Sequence, residues 1–164
     1  MGYIKRNLMD NERLVFQTKL HRVIFIWPVL WFIVALVLFG IGINISDPKL
    51  KTFTVVTGGL FTVFAIFTFI PPLIRYIASE FGVTNRRVIM KIGFIRRRSL
   101  EVLLNRIEGI QVDQSIWGRI LGFGSITVTG IGGAHDPFHN ISAPFEFRRK
   151  TEEQIASFQD SRKR

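Results

Sequence analysis

Residues 23–43 read VIFIWPVLWFIVALVLFGIGI, and residues 53–74 read FTVVTGGLFTVFAIFTFIPPLI. Neither stretch holds a charged residue. At about 1.5 Å of rise per residue the first covers roughly 30 Å as a helix, the thickness of a bilayer's hydrocarbon core. A soluble domain can bury one such helix. Two in succession, joined by a short polar loop over residues 44–52, predict a transmembrane hairpin. Helix is the form expected, because lipid offers the backbone no hydrogen-bond partners. Pro28 falls in the first turn, where proline is tolerated. Pro71 and Pro72 are expected to mark the exit of the second helix. The first stretch is too long for the apolar region of a secretory signal, and a mixed segment of 22 residues precedes it, so an uncleaved anchor is expected.

Orientation follows from the cations. Lys5, Arg6, Arg13, Lys19 and Arg22 precede the first stretch, and Arg75, Arg86 and Arg87 follow the second, against Lys49 and Lys51 with Asp47 in the loop. The positive-inside rule then places both ends of the chain in the cytoplasm, with the protein multi-pass in the membrane. Trp27 and Trp31 stand where an interfacial aromatic belt would, or pack within the hairpin. Gly58, Gly59, Thr54, Thr57 and Thr62 give the second stretch a small-residue face suited to close packing on the first helix. Neither stretch contains an ionisable side chain, which argues against a proton relay or a charge-lined pathway.

The chain divides into a basic segment (residues 1–22), the hairpin (23–74) and about 90 further residues (75–164), enough for one small domain. There is no cysteine, which excludes a disulfide framework, a thiolate zinc site and a cysteine nucleophile. The net charge of +10 suits an anionic membrane surface or nucleic acid; a chain with its own anchor favours the membrane, and no nucleic-acid partner is expected.

After residue 75, short apolar runs alternate with turn signals, as in an all-β domain. Strands are expected over 77–83, 88–92, 95–102, 107–112, 125–129 and, more weakly, 138–141. Thr84-Asn85-Arg86 and Gly93 are turn candidates, the first because asparagine tolerates the left-handed region. Residues 115–121 suggest one or two helical turns, with Ser115 as N-cap and Gly122 as stop. From Pro144 on, the sequence reads as a helix with Phe147, Ile155 and Phe158 on one face.

Several segments together are distinctive: FGVTNRRVI at 81–89, GFIR at 93–96, NRI at 105–107, QVDQS at 111–115 and RILGFG at 119–124. They resemble the bacterial PH-like domain family, in particular members attached to a pair of transmembrane helices, and the resemblance covers nearly the whole chain. It implies a PH-like barrel of two packed antiparallel sheets with a C-terminal helix. It implies no chemistry, since the fold hosts many functions.

Arg96, Arg97 and Arg98, with Arg86, Arg87 and Lys91 on the preceding strand and its turn, form the candidate lipid- or anion-binding cluster. Basic residues near an anionic leaflet contribute on the order of 1 kcal/mol each; the competing reading is a solvated basic face. His135, Asp136 and His139 lack the helical spacing of a metal site, because Pro137 interrupts it, and no metal or cofactor is expected. The glycines at 122–124 and 130–133 lack phosphate-loop spacing. No nucleophile constellation is present. The function expected is a non-enzymatic, membrane-anchored binding or scaffold module that meets membrane lipids and either a second copy or other membrane proteins. The alternative is a subunit of an envelope-stress, export or antimicrobial-resistance membrane assembly.

Overall fold

The segment LVFQT at residues 14–18 is rich in β-branched and aromatic residues, which favour extended backbone, and its register shifts between Leu14 and Phe16. It forms strand β1 (Leu14–Thr18), which pairs antiparallel with β2 (Glu80–Thr84), setting Phe16 opposite Val83 and Thr18 opposite Phe81. In this computed structural model, Met1–His21 and Arg75–Arg164 make one unit, and Arg22–Ile74 a second, inserted in the chain between two paired strands. Residues 3–93, 98–131, 133–134 and 137–163 are described. The first 22 residues are therefore not a separate basic segment. Their apolar side chains complete the sheet, and Arg6, Arg13 and Lys19 are exposed.

Among the described residues the first sheet runs in the order β1-β2-β3-β4, with β3 (Arg87–Ile92) and β4 (Arg98–Leu103) completing a meander. Phe81, Val83, Val88, Met90 and Val102 point to its buried inner face. The outer face is covered by α1 (Tyr3–Arg6). Ile4, fully buried, sits over Gly82, where an added Cβ would come within 2.8 Å of its Cδ1, so only glycine allows this approach. The Ile4 N–H donates to Glu80 Oε2 at 3.0 Å.

A 3-10 turn (Leu104–Arg106) leads to the second sheet: β5 (Ile107–Asp113), β6 (Phe123–Gly130), and β7 (Gly133–Ala134) and β8 (Phe138–Ser142) along the far side of β6. Between β5 and β6 lies α4 (Ile116–Leu121). The last helix, α5 (Pro144–Lys163), packs against β1, β2, β5, β6 and the 3-10 turn. Phe147 and Thr151 are fully buried, and Ile155 and Phe158 continue the same face half-buried. The Phe147 ring meets Phe16 edge-on at 6.4 Å, and Phe81 meets Phe138 at 6.1 Å. β1 also joins the two sheets. Beyond Thr18 the chain bridges to β8 through Leu20 and Ile141, with His21 N–H donating to Asn140 O at 2.6 Å. Phe147→Ala removes a ring from the centre of this core and is expected to cost about 3–5 kcal/mol. Chemical unfolding of the purified chain in detergent would show the loss; an unchanged midpoint would mean that α5 is not docked.

The inserted unit consists of a 3-10 turn (Arg22–Phe25) and α2 (Ile26–Asn44), followed by α3, which begins at Pro48 and runs to Ala78 in the other unit. Two boundaries differ from expectation. The loop shrinks to residues 45–47 because Asp47 caps α3, accepting from the N–H of Lys49 (2.8 Å) and Leu50 (3.1 Å), with Pro48 in the first helical position. Pro71 and Pro72 do not end α3. Each ring removes one amide donor, but the residues after them keep theirs, and the helix continues to Ala78. The segment expected as a strand over 77–83 thus begins as helix. Gly42 faces Thr54 and Val55, and Gly58 faces Phe39, so small residues bring α2 close to α3, whereas Gly59, expected on the same face, has nothing within 4 Å.

Candidate functional site

The register of the first sheet decides where the six candidate cations stand. Thr18 lies opposite Phe81, Phe81 opposite Met90, and Ile92 opposite Arg98. The end of the sheet at which the chain leaves through His21 and returns through Ala78, the crossing end, therefore also holds the last residue of β3 and the first of β4. Arg86 and Arg87 lie at the other end, in the turn from β2 to β3. A six-residue strand at about 3.3 Å per residue separates these ends by roughly 20 Å. Lys91, opposite Glu80 and Ser99, belongs to the crossing end, as does Arg98, placed by its backbone. Arg96 and Arg97 lie outside the described residues. Of the four candidates among the described residues, the register sets Arg86 and Arg87 at one end of the sheet and Lys91 and the backbone of Arg98 at the other.

Arg86 is exposed, whereas Arg87 is buried. The Arg87 guanidinium donates to Glu12 Oε1 (Nε, 2.9 Å) and Glu12 Oε2 (Nη2, 2.9 Å), to Glu101 Oε2 (Nη1, 2.7 Å) and to the carbonyl of Asn7 (Nη2, 2.7 Å). Its fork is filled inside the protein, so Arg87 is a structural cation rather than a headgroup ligand. Burial alone would raise the Glu12 carboxyl. Hydrogen bonds from Arg87, the Met9 N–H and the Thr84 hydroxyl, together with the charge of Arg87, outweigh it and hold the group below its ordinary value. Hydrogen bonding to Glu12 raises Arg87, against the effect of burial. Asn85 does not take the left-handed conformation that was its reason for being a turn residue. Its side chain instead ties the turn to the N-terminal segment, accepting from Arg13 N–H at 2.8 Å and donating to Asn11 O at 3.2 Å. Lys91 Nζ stands 3.7 Å over the ring of Tyr3.

The second sheet brings two features to the crossing end. One is α4. Ser115 caps it, accepting from Gly118 N–H at 3.1 Å, and Gly122 closes it in the left-handed conformation (φ 77°). Gly118 rests so closely on β6 that an added Cβ would lie 2.5 Å from Phe123 O. The other is an open cleft of about 670 Å³, lined in part by Asp113, Gln114, Phe123, Ser125, His139 and Asn140. Ser125 Oγ lies 2.8 Å from His139 Nδ1, and Asp113 is registered opposite Ser125. These residue types suggest a hydrolytic triad, but β6 is the central strand, so the serine sits between the other two. A triad needs the imidazole in the middle, oriented by the carboxylate. The row is better suited to hydrogen-bonding a polar group than to nucleophilic attack. No cluster of three or more metal-ligating side chains occurs among the described residues; His135 and Asp136 lie outside them.

This arrangement, two antiparallel sheets closed by a C-terminal helix, agrees with the comparison by sequence. The chain belongs to the bacterial PH domain family, which matches residues 29–157, well over half its length. The matched span starts within α2 and ends within α5, so β1 and α1 precede it. Comparisons with curated proteins and with solved structures yield no match. A PH domain is, at the coarse level, a binding or scaffold module.

Proposed function

We propose that this protein is a non-catalytic, membrane-anchored binding module of a bacterial inner membrane, whose PH domain is held at the cytoplasmic surface and docks there on anionic headgroups or an acidic partner. The observation that carries the reading is the character of the inserted unit. Arg22–Asn44 and Pro48–Ala78 are long and apolar enough to cross a bilayer, and only 11% of each apolar window is buried. A core helix of a soluble domain would be mostly buried. A cleaved signal is disfavoured on other grounds, since cutting after α2 would sever β1 from the sheet it completes. The excess of cations on both flanks of the hairpin favours cytoplasmic ends. Of the candidate basic residues that are described, Lys91 and the backbone of Arg98 stand at the end of the first sheet where the chain leaves for the hairpin and returns from it.

Two measurements test this. The chain should stay with the membrane fraction through alkaline extraction, and release into the supernatant would refute the anchor. In intact cells, a cysteine at Lys49 should react with an impermeant thiol reagent and one at Ser161 should not; the reverse pattern would overturn the orientation.

A further inference from the structure

The least expected surface of the PH unit is α4. Ile116, Trp117 and Ile120 are 80%, 70% and 69% exposed, and Leu121 beside them is half-exposed. Positions 116, 117, 120 and 121 share one face of a helix. Nothing about the segment is loose. It has a side-chain cap at one end and a left-handed glycine at the other, and Gln114 Nε2 donates to Phe123 O at 2.8 Å beneath it. The fold thus holds four large apolar side chains rigidly away from its own core. Phe145, also exposed, extends the patch, since the backbone two residues earlier is bonded to the C-cap of α4 (Ala143 N–H to Gly122 O, 3.0 Å). At the opposite end of the unit the exposed apolar residues include Met9, Leu103 and Ile131, which come from separate segments.

The position of α4 indicates what covers it. The ring of Phe123, two residues beyond α4, stacks on His21 at 5.2 Å. His21 is the last residue before the chain passes into the apolar unit at Arg22. We propose that α4 is an interfacial wedge: Ile116, Trp117, Ile120 and Leu121 insert into the boundary between headgroups and acyl chains of the bilayer that the hairpin spans. This rests on the membrane-anchored reading above. Trp beside aliphatic residues, with Arg119 able to reach outward, suits that boundary. A six-residue helix is too small for a specific protein interface, which needs about 800 Å² per partner. It is sufficient for a surface contact that the covalent tether has already made local.

The test uses the full chain in nanodiscs of phosphatidylcholine and phosphatidylglycerol. One variant, Trp27→Phe with Trp31→Phe, leaves Trp117 as the reporter on α4. Another, Trp31→Phe with Trp117→Phe, leaves Trp27, which is exposed on α2. Both tryptophans should lose most of their emission when the lipid is brominated near the headgroup end of its chains. Trp117 should be quenched less by deep bromine, and hardly by aqueous iodide. Trp27 quenched by lipid with Trp117 open to iodide would overturn the wedge and leave the anchor standing. Trp117 shielded from both quenchers would mean that protein covers α4, which also overturns it. Trp27 untouched by brominated lipid would remove the anchor, and the wedge with it.

Discussion

Replacing Arg87 with alanine is expected to cost about 3–5 kcal/mol, a large share of the roughly 5–15 kcal/mol that holds a typical domain folded. The side chain of Glu12 is fully buried in the pair. Without the guanidinium its charge keeps, among the described residues, the Met9 N–H and the Thr84 hydroxyl. Removing both partners, as in Glu12→Gln with Arg87→Met, should recover much of the loss, because an isolated buried charge is the costly species. The pH dependence has a definite sign. The folded pKa of Glu12 lies below its ordinary 4.5, so its contribution is complete above that value and fades as pH falls through the folded one. Arg87 is raised, so its contribution is lost only in strong alkali. Unfolding midpoints of the wild type should therefore fall in acid more steeply than those of the double variant. Equal midpoints for wild type and Arg87→Ala would show that the pair does not support the fold.

A chain of residues 75–164 alone is expected not to fold cooperatively, whereas residues 1–21 joined to 75–164 by a short glycine-serine linker should. The missing segment supplies Ile4 and Leu20, both buried, the Phe16 ring against Phe147, and the carboxylate that pairs with Arg87. Full burial of one large aliphatic side chain contributes about 1.5–3 kcal/mol. Together with a guanidinium left with Glu101 as its carboxylate partner, the loss is comparable to a typical domain's whole stability. Loss of β1 would also leave the edge of β2 unpaired. Circular dichroism and thermal melting of the two chains decide the matter: a sharp transition from 75–164 alone would show β1 to be dispensable. The linked form, if folded, also allows a lipid test. Gln at positions 96, 97 and 98 should weaken its binding to phosphatidylglycerol vesicles, and Arg86→Gln should not.

What could be read from the sequence was whatever is local. Ser115 and Gly122 bracket α4 because caps act within one turn. Alternation in residues 125–129 marks β6 because its pattern is undisturbed over eight residues. The last helix shows its buried face at Phe147, Ile155 and Phe158. What was not legible depends on distant partners. β1 is only five residues long, and its meaning comes from β2, on the other side of the apolar unit. Arg86 and Arg87 are identical as letters. Burial of the second depends on Glu12 and Glu101, 75 and 14 residues away. The separation of Arg86 and Arg87 from Lys91 has a similar reason, since residues near in sequence along a strand end up at opposite ends of β3.

Inserting a helix pair between β1 and β2 also sets an order of events during synthesis. β1 leaves the ribosome about 60 residues ahead of its partner, several seconds at the usual rate of about 5–20 residues per second. Closing a flexible loop of that length opposes the pairing by about 3–4 kcal/mol. Once α2 and α3 have met, that opposition is largely removed, because Phe25 and Phe69, near the two ends of the inserted unit, lie 5.0 Å apart. The sheet is thus late-closing by construction, and its closure reports that the helices have already found each other. A substitution that separates α2 from α3, such as Gly58→Leu against Phe39, should be detected by cellular proteases as an open, degradable PH domain, although it touches no residue of that domain.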